Sequence, residues 1–221
     1  MSKEPDFNLL DQYSKAERFV TENRKSLSII LGAAAGLVLL YFGYQKFYLQ
    51  PRETEASSQM FVAEKYFEQD SIDKAINGDG NFPGFLEITE NFSGTESANL
   101  ANYYLGICYL KKGKFEESIE ALKNFNSEDD LISSVAQGAI GDAYSELKEF
   151  DKAADYYMDA ANSNKNKLTT PLYLMRLALI YETQNKFDKA LECYNTIKVE
   201  YSETNAGKDI EKYIERAQAK L

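Results

Sequence analysis

Residues 105–122 read LGICYLKKGKFEESIEAL, and the same spacing of residue types returns twice further along the chain. The second copy, IGDAYSELKEFDKAADYY, occupies 140–157, and the third, LALIYETQNKFDKALECY, occupies 177–194. In each copy an aliphatic residue, a small residue and a tyrosine precede a phenylalanine and a second small residue. The copies begin 35 and 37 residues apart. A period of this length predicts a repeated two-helix unit.

The shared positions have a packing explanation. A small residue in the first helix of each unit lets that helix approach its own second helix, whose small residue does the same from the other side. The tyrosine is expected to fill the wedge between neighbouring units, and the polar turns suit a helical hairpin. These positions are Gly106, Gly141 and Ala178 in the first helices, Ser118, Ala153 and Ala190 in the second helices, and the tyrosines Tyr109, Tyr144 and Tyr181.

This pattern resembles the tetratricopeptide repeat, a helix–turn–helix of about 34 residues. The resemblance predicts an all-α chain in which three such repeats over 95–204 stack into an α-solenoid. Residues 53–94 resemble a degenerate leading repeat, interrupted by the turn-rich loop NGDGNFPG. Residues 205–221 are expected to form one capping helix, because a solenoid needs a polar outer face at its end. Its inward-facing residues are predicted to be Ile210, Tyr213 and Ile214.

An uncharged stretch of 19 residues, SLSIILGAAAGLVLLYFGY, extends from Ser26 to Tyr44. A helix of this length rises about 28 Å, which is close to the hydrocarbon thickness of a bilayer. Aromatic residues gather at its end, where an interfacial belt is expected. A cleaved signal peptide is the alternative, but the bulky and charged QKFYLQPRE that follows does not suit cleavage. We therefore predict one uncleaved transmembrane helix over 26–48.

Basic residues set the predicted orientation. Four lie within the 20 residues before the span and two within the 20 residues after it, which favours a cytoplasmic N-terminus. Residues 1–25 are predicted to be a cytoplasmic segment with apolar side chains at helical spacing. It is either an amphipathic helix along the membrane surface or a solvated helix that continues the span. Its apolar residues are Leu9, Tyr13, Ala16 and Val20.

Within the span, Gly32 and Gly36 form a G-x-x-x-G pattern. Small residues four apart let another helix approach closely, so we predict that the pair packs against a partner in the membrane. Glycine and alanine are also common in such helices, and the pattern is then a matter of composition alone.

Composition excludes most chemistry. The chain has no histidine, which removes histidine triads and histidine zinc sites, and its net charge of −10 argues against nucleic-acid binding. Cys108 and Cys193 are expected to be buried and too far apart to bridge. Acidic pairs such as Glu116 and Glu117 are expected on solvated faces. No catalytic residue, metal site, cofactor or small-molecule substrate is predicted, so the chain is not expected to be an enzyme.

The remaining function is protein binding. The first helices of the repeats are expected to line a concave groove for an apolar helix or extended segment, with an acidic rim. Residues 50–221 hold 19 basic and 30 acidic groups, which favours basic partners. As an alternative, apolar groove residues pack against a neighbouring helix. The predicted groove residues are Tyr103, Ile107, Gly138, Asp142, Met175, Leu179 and Glu182.

Over most of its length the chain is similar to the ancillary Sec-translocon subunit family of bacteria. The similarity includes RFVTENRKS (18–26) before a single N-terminal anchor, and a tetratricopeptide domain beyond it. The stretches at 70–88 and 99–110 also resemble a group of bacterial tetratricopeptide proteins. The carboxylate clamp of some proteins with this fold uses Lys and Asn in the groove, which are absent from these groove positions, so no such clamp is expected.

The family resemblance implies a single-pass protein of the bacterial inner membrane whose repeats are periplasmic. It implies a scaffold that binds Sec translocon subunits and a membrane-anchored periplasmic chaperone. An adaptor of another cell-envelope biogenesis complex would use the same solenoid, so this alternative stays open.

Overall fold

The structure is a computed structural model that describes residues 9–221, without the side chains of residues 9–12, 14 and 16. Within this range every regular element is a helix. The chain divides into two compact units, one that ends at Pro51 and one that spans Arg52–Leu221. Each unit is described by itself.

The first unit contains α1 (Leu9–Glu22), α2 (Arg24–Tyr44) and a π-helical turn (Gln45–Leu49). No residue of α2 is buried, and its apolar stretch is long enough to cross a bilayer. Residues 1–8 of the predicted cytoplasmic segment lie outside the described residues, as do the side chains of Leu9 and Ala16. The other two apolar residues of that segment, Tyr13 and Val20, are exposed.

The second unit begins within α3 (Gln50–Glu68), which α4 (Ile72–Asn77) and α5 (Phe85–Asn91) follow. These helices share one buried cluster with the helix that comes next, including Met60, Phe85 and Ile88. The loop between α4 and α5 depends on glycine. Gly78 has φ +81°, and a Cβ there would lie 2.2 Å from the carbonyl oxygen of Phe82.

Six helices follow as three hairpins, and each helix packs on the next. The predicted close approaches are confirmed. A Cβ on Gly106 would lie 2.4 Å from Leu122, and the Ser118 hydroxyl donates to the Gly106 carbonyl at 2.8 Å. The helices are α6 (Glu96–Lys111), α7 (Phe115–Asn124), α8 (Asp130–Glu146), α9 (Phe150–Asn162), α10 (Thr169–Thr183) and α11 (Phe187–Glu200).

Every hairpin turn ends its first helix in the same way. One residue adopts the left-handed conformation, and the next backbone N–H donates to the carbonyl of the wedge tyrosine at 2.8–2.9 Å. The left-handed residues in the three repeats are Gly113, Lys148 and Asn185.

The same turn occurs in the leading unit, between α3 and α4. Asp70 has φ +55°, and the N–H of Ser71 donates to the carbonyl of Tyr66 at 2.8 Å. Ala63 and Ala75 are fully buried at the positions that correspond to the small residues of the later repeats. The leading unit is thus built like a repeat, and the loop after α4 is its main departure.

The C-terminal end differs from its prediction. Instead of one capping helix, the structure has α12 (Asn205–Lys208) and α13 (Glu211–Gln218). The break places Ile210 at the start of α13, where it is 1% exposed. Ile214 is also buried, whereas Tyr213 is half-buried. Helix α13 packs on α11 and covers the end of the stack.

Candidate protein-binding groove

The predicted groove residues lie on the first helices of the three hairpins. Tyr103 and Ile107 on α6, and Met175 on α10, are half-buried and pack against the main hydrophobic cluster. Leu179 is 40% exposed and is available for contact with another molecule. Both predictions for apolar groove residues are therefore represented, because the same side chains contact a neighbouring helix and keep part of their surface in solvent.

Gly138 does not itself line a surface. It is buried, and a Cβ added to it would lie 2.0 Å from the ring of Tyr173 on α10. The tyrosine ring occupies the space that a side chain at this position would need. The role of Gly138 is to admit Tyr173 between α8 and α10, so the ring fills the position that the spacing assigned to the glycine.

Asp142 is held inside the protein by two donors. The hydroxyl of Tyr157 on α9 donates to its carboxylate at 2.6 Å, and Arg176 on α10 donates to the same oxygen and forms an ion pair with it. The Asp142 side chain is 28% exposed. One carboxylate therefore connects the two helices of its own hairpin with the first helix of the next hairpin.

Glu182 repeats this arrangement one hairpin later. The Tyr194 hydroxyl of α11 donates to it at 3.0 Å, and Arg216 of α13 donates at 2.7 Å. In both clusters the arginine lies 34 residues after the carboxylate and faces the ring of a tyrosine three residues before it. Helix α13 thus takes the place that α10 has in the preceding cluster, as the first helix of a further repeat would.

The two clusters change the expected electrostatics of the groove. Burial raises the pKa of Tyr157 and of Tyr194 well above the usual value, and the neighbouring carboxylate adds to each increase. Burial also raises the pKa of Tyr173 to about 12. The pKa of Arg176 is raised by Asp142 despite an opposing effect of burial. Each arginine neutralises its carboxylate, so neither Asp142 nor Glu182 contributes an unpaired charge to an acidic rim.

The spacing did not identify the donors of these clusters. A signal for them exists in the sequence, since a tyrosine occupies the same motif position in the second and third repeats, where the first repeat has Leu122. The arginines have no such signal, because their contacts join residues from different hairpins. The four donors are Tyr157, Tyr194, Arg176 and Arg216.

Two open clefts flank the clusters. One has a volume of about 540 Å³ and lies among α6, α8 and α10. The other has a volume of about 380 Å³ and lies between α10 and α13, with Leu179 and Phe187 in its wall. Both are open surface features, which suits contact with a polypeptide better than enclosure of a small molecule.

The side chains offer little reactivity. Burial raises the pKa of the Cys108 thiol to about 12 and that of the Cys193 thiol to about 11, and both cysteines are buried and unbridged. Among the residues that the structure describes, no group of three or more Cys, Asp or Glu side chains is placed to hold a metal ion. The arrangement can bind other molecules, but it presents no activated nucleophile.

The glycine pair of α2 is open to its surroundings. A Cβ on Gly32 or on Gly36 would meet no other atom within 4 Å. The first unit therefore leaves both positions accessible on the surface of an unburied apolar helix.

Comparisons with known proteins place the repeats in the chain. Family models of the tetratricopeptide repeat match residues 100–129, 135–167 and 172–197. Among curated proteins, "Protein FLUORESCENT IN BLUE LIGHT, chloroplastic" of Arabidopsis thaliana is 27% identical over 115 residues. This match covers 49% of the present chain but only 35% of that protein.

Solved structures show the same fold. A crystal structure of MamA has a TM-score of 0.52 at 22% identity, covering 72% of this chain and 94% of MamA. Kinesin light chain TPR-like repeats from Podosopora anserina have a TM-score of 0.55 at 15% identity, covering 76% and 87%. At these identities the likeness concerns the fold. The chain carries tetratricopeptide repeats in an all-helical solenoid, a fold typical of non-enzymatic protein-binding scaffolds.

Proposed function

We propose that this chain is a membrane-anchored scaffold that binds other proteins through its repeat groove at the protein-export (Sec) translocon. The observation that carries the membrane part of the proposal is α2, an apolar helix of bilayer-spanning length with no buried residue. A soluble protein would have to cover such a helix, because large exposed apolar surfaces are unfavourable in water. The groove supports the binding part, through Leu179 and the half-buried Tyr103 and Ile107.

The Sec translocon and a membrane-anchored periplasmic chaperone are the partners that the family resemblance suggests. In this proposal the N-terminus is cytoplasmic and the repeats are periplasmic, at a bacterial inner membrane. The excess of basic residues before the span supports that orientation. The role of the groove is to hold a segment of a partner beside the membrane, without catalysis.

Site-specific photo-crosslinking in intact cells tests the groove. A photoreactive residue in place of Tyr103 or Leu179 should capture proteins, whereas one in place of Asp188, on the exposed face of the second helix of the last repeat, should capture far less. Translocon subunits or a periplasmic chaperone among the captured proteins support the Sec assignment. Capture of other envelope proteins alone would replace it with the alternative adaptor role.

The topology is tested on spheroplasts. Protease added outside should degrade the repeats and leave the segment before α2 intact. Full protection of the repeats would reverse the proposed orientation.

The glycine pair is tested by changing Gly32 and Gly36 to Ile. We expect recovery of membrane partners to fall while the repeats stay folded, because the larger side chains would prevent close helix approach. Unchanged recovery would show that the pair is a matter of composition.

A further inference from the structure

One face of α6 forms an apolar strip with solvent on one side of it. The strip consists of Leu100, Tyr103, Ile107 and Leu110, which are spaced to lie on a single helix face and are all half-buried. It rises about 15 Å along the helix axis, enough for several residues of an extended partner or about three turns of a helical one.

Carboxylates lie on one side of this strip, on α3. Glu64 and Glu68 act electrostatically on Tyr104, whose ring contacts that of Tyr103 at 5.7 Å. Burial raises the pKa of Glu64, and the charge of Glu68 raises it further. The two acids therefore repel each other, and neither forms an ion pair with a described residue.

A further carboxylate lies on the other side of the strip, on α8. Glu146 lines the 540 Å³ cleft together with Leu110 and Lys111. The cations nearby are already occupied. Lys111 forms an ion pair with Asp70 at 2.9 Å, and Arg176 pairs with Asp142. Glu146 has no ion pair within the part of the chain that the structure describes.

We infer that the α6 strip binds a cationic segment of a partner protein, in which Lys or Arg side chains accompany apolar ones. This inference rests on the proposed function and specifies the chemistry of the partner. The strip would bury the apolar side chains, and the carboxylates of Glu64, Glu68 and Glu146 would face the cations on both sides. Complementary charge at the edge of an apolar contact mainly raises the association rate and the specificity. The net charge of −11 over residues 50–221 attracts the same partners at longer range.

The test measures binding of a short labelled peptide of Lys, Leu and Ala to the full-length protein in nanodiscs of zwitterionic lipid. Empty nanodiscs give the background, and a peptide with Glu in place of Lys is the matched ligand control. We expect the Lys peptide to bind, and the triple variant E64Q/E68Q/E146Q to weaken its binding by about tenfold.

The matched protein control is E116Q/E120Q/E192Q, which removes the same charge from exposed positions on α7 and α11. It should change the dissociation constant by less than about twofold. Added salt should weaken binding to the unmodified protein and affect the groove triple variant much less.

Equal losses in the two triple variants, or equal binding of the Glu peptide, would overturn the inference. Crosslinks from Tyr103 distinguish this outcome from failure of the proposed function. If Tyr103 captures protein in cells while the carboxylate variants have no effect, the cationic partner is wrong and the scaffold role stands. If Tyr103 and Leu179 capture nothing, the proposed binding role itself fails.

Discussion

Asp142 shows how a side chain at a groove position becomes part of the internal structure. Its carboxylate accepts from Tyr157 and Arg176, so its charge is compensated where burial would otherwise make it costly. Glu182 is held in the same way. These carboxylates fix neighbouring helices and are poor candidates for direct contact with a partner, whereas Leu179 and Tyr103 keep surface for it.

Removing the Asp142 charge tests this role. We expect Asp142→Asn to lower the free energy of unfolding by about 1–2 kcal/mol, because Arg176 loses its ionic partner in a partly buried site. As a control, Glu203→Gln breaks an ion pair whose side chains are 73% and 81% exposed, and should cost less than about 0.5 kcal/mol. Urea unfolding in detergent, followed by circular dichroism, measures both. Equal losses would mean that the cluster behaves as a surface ion pair.

Gly138 provides a test of the close helix contact. Gly138→Ala should cost about 1–3 kcal/mol of unfolding free energy, since the new methyl group meets the ring of Tyr173. In the background Tyr173→Leu the same change should cost clearly less, because the ring is gone. Thermal or urea unfolding of the four proteins gives the coupling. Additive effects of the two substitutions would contradict the contact.

At the scale of elements, the repeats were predictable because their signal is local. The hairpin pattern depends on residues within about 20 positions of each other, which helical periodicity and turn chemistry determine. The leading repeat was only partly recognised, since the loop at 77–84 disrupts the period although Tyr66 and Ala75 keep the motif. The break near Ile210 and the ring of Tyr173 over Gly138 depend on how separate helices pack, which sequence spacing alone does not specify.

Helix α13 is expected to stabilise the repeats as a terminal element. Ile214→Ala should lower the unfolding free energy by about 2–4 kcal/mol, because Ile214 is 5% exposed and packs in the main cluster. Glu215→Ala, at the next and exposed position, should change it by less than about 0.5 kcal/mol. The same denaturation measurement compares the two variants. A small effect of both would show that α13 is not part of the cooperative unit.

At the scale of the repeat domain, buried thiols and phenols make stability sensitive to alkali. Their pKa values are raised in the folded protein, so the unfolded chain loses protons first as the pH rises. The stabilisation is complete below about pH 9 and is lost between there and the folded-state values.

Unfolding free energy should therefore be nearly constant between about pH 7 and pH 8.5 and should fall steeply above about pH 10. Urea unfolding across this range measures the slope. Tyr157→Phe removes one of the contributing groups and should make the slope shallower, while Tyr13→Phe, at an exposed position of α1, should not change it. A flat profile up to pH 11 would contradict the burial of these groups.

The paired clusters around Asp142 and Glu182 also constrain how the groove recognises anything. Each cluster links a first helix to the one after it, so widening the groove would have to pull an arginine away from its carboxylate twice over. A rigid receptor of this kind loses little conformational entropy when a ligand arrives, and it rejects ligands of the wrong width instead of adapting to them. Selectivity in this protein would then come from preorganised curvature, and variants that release either arginine should bind a wider range of ligands, each more weakly.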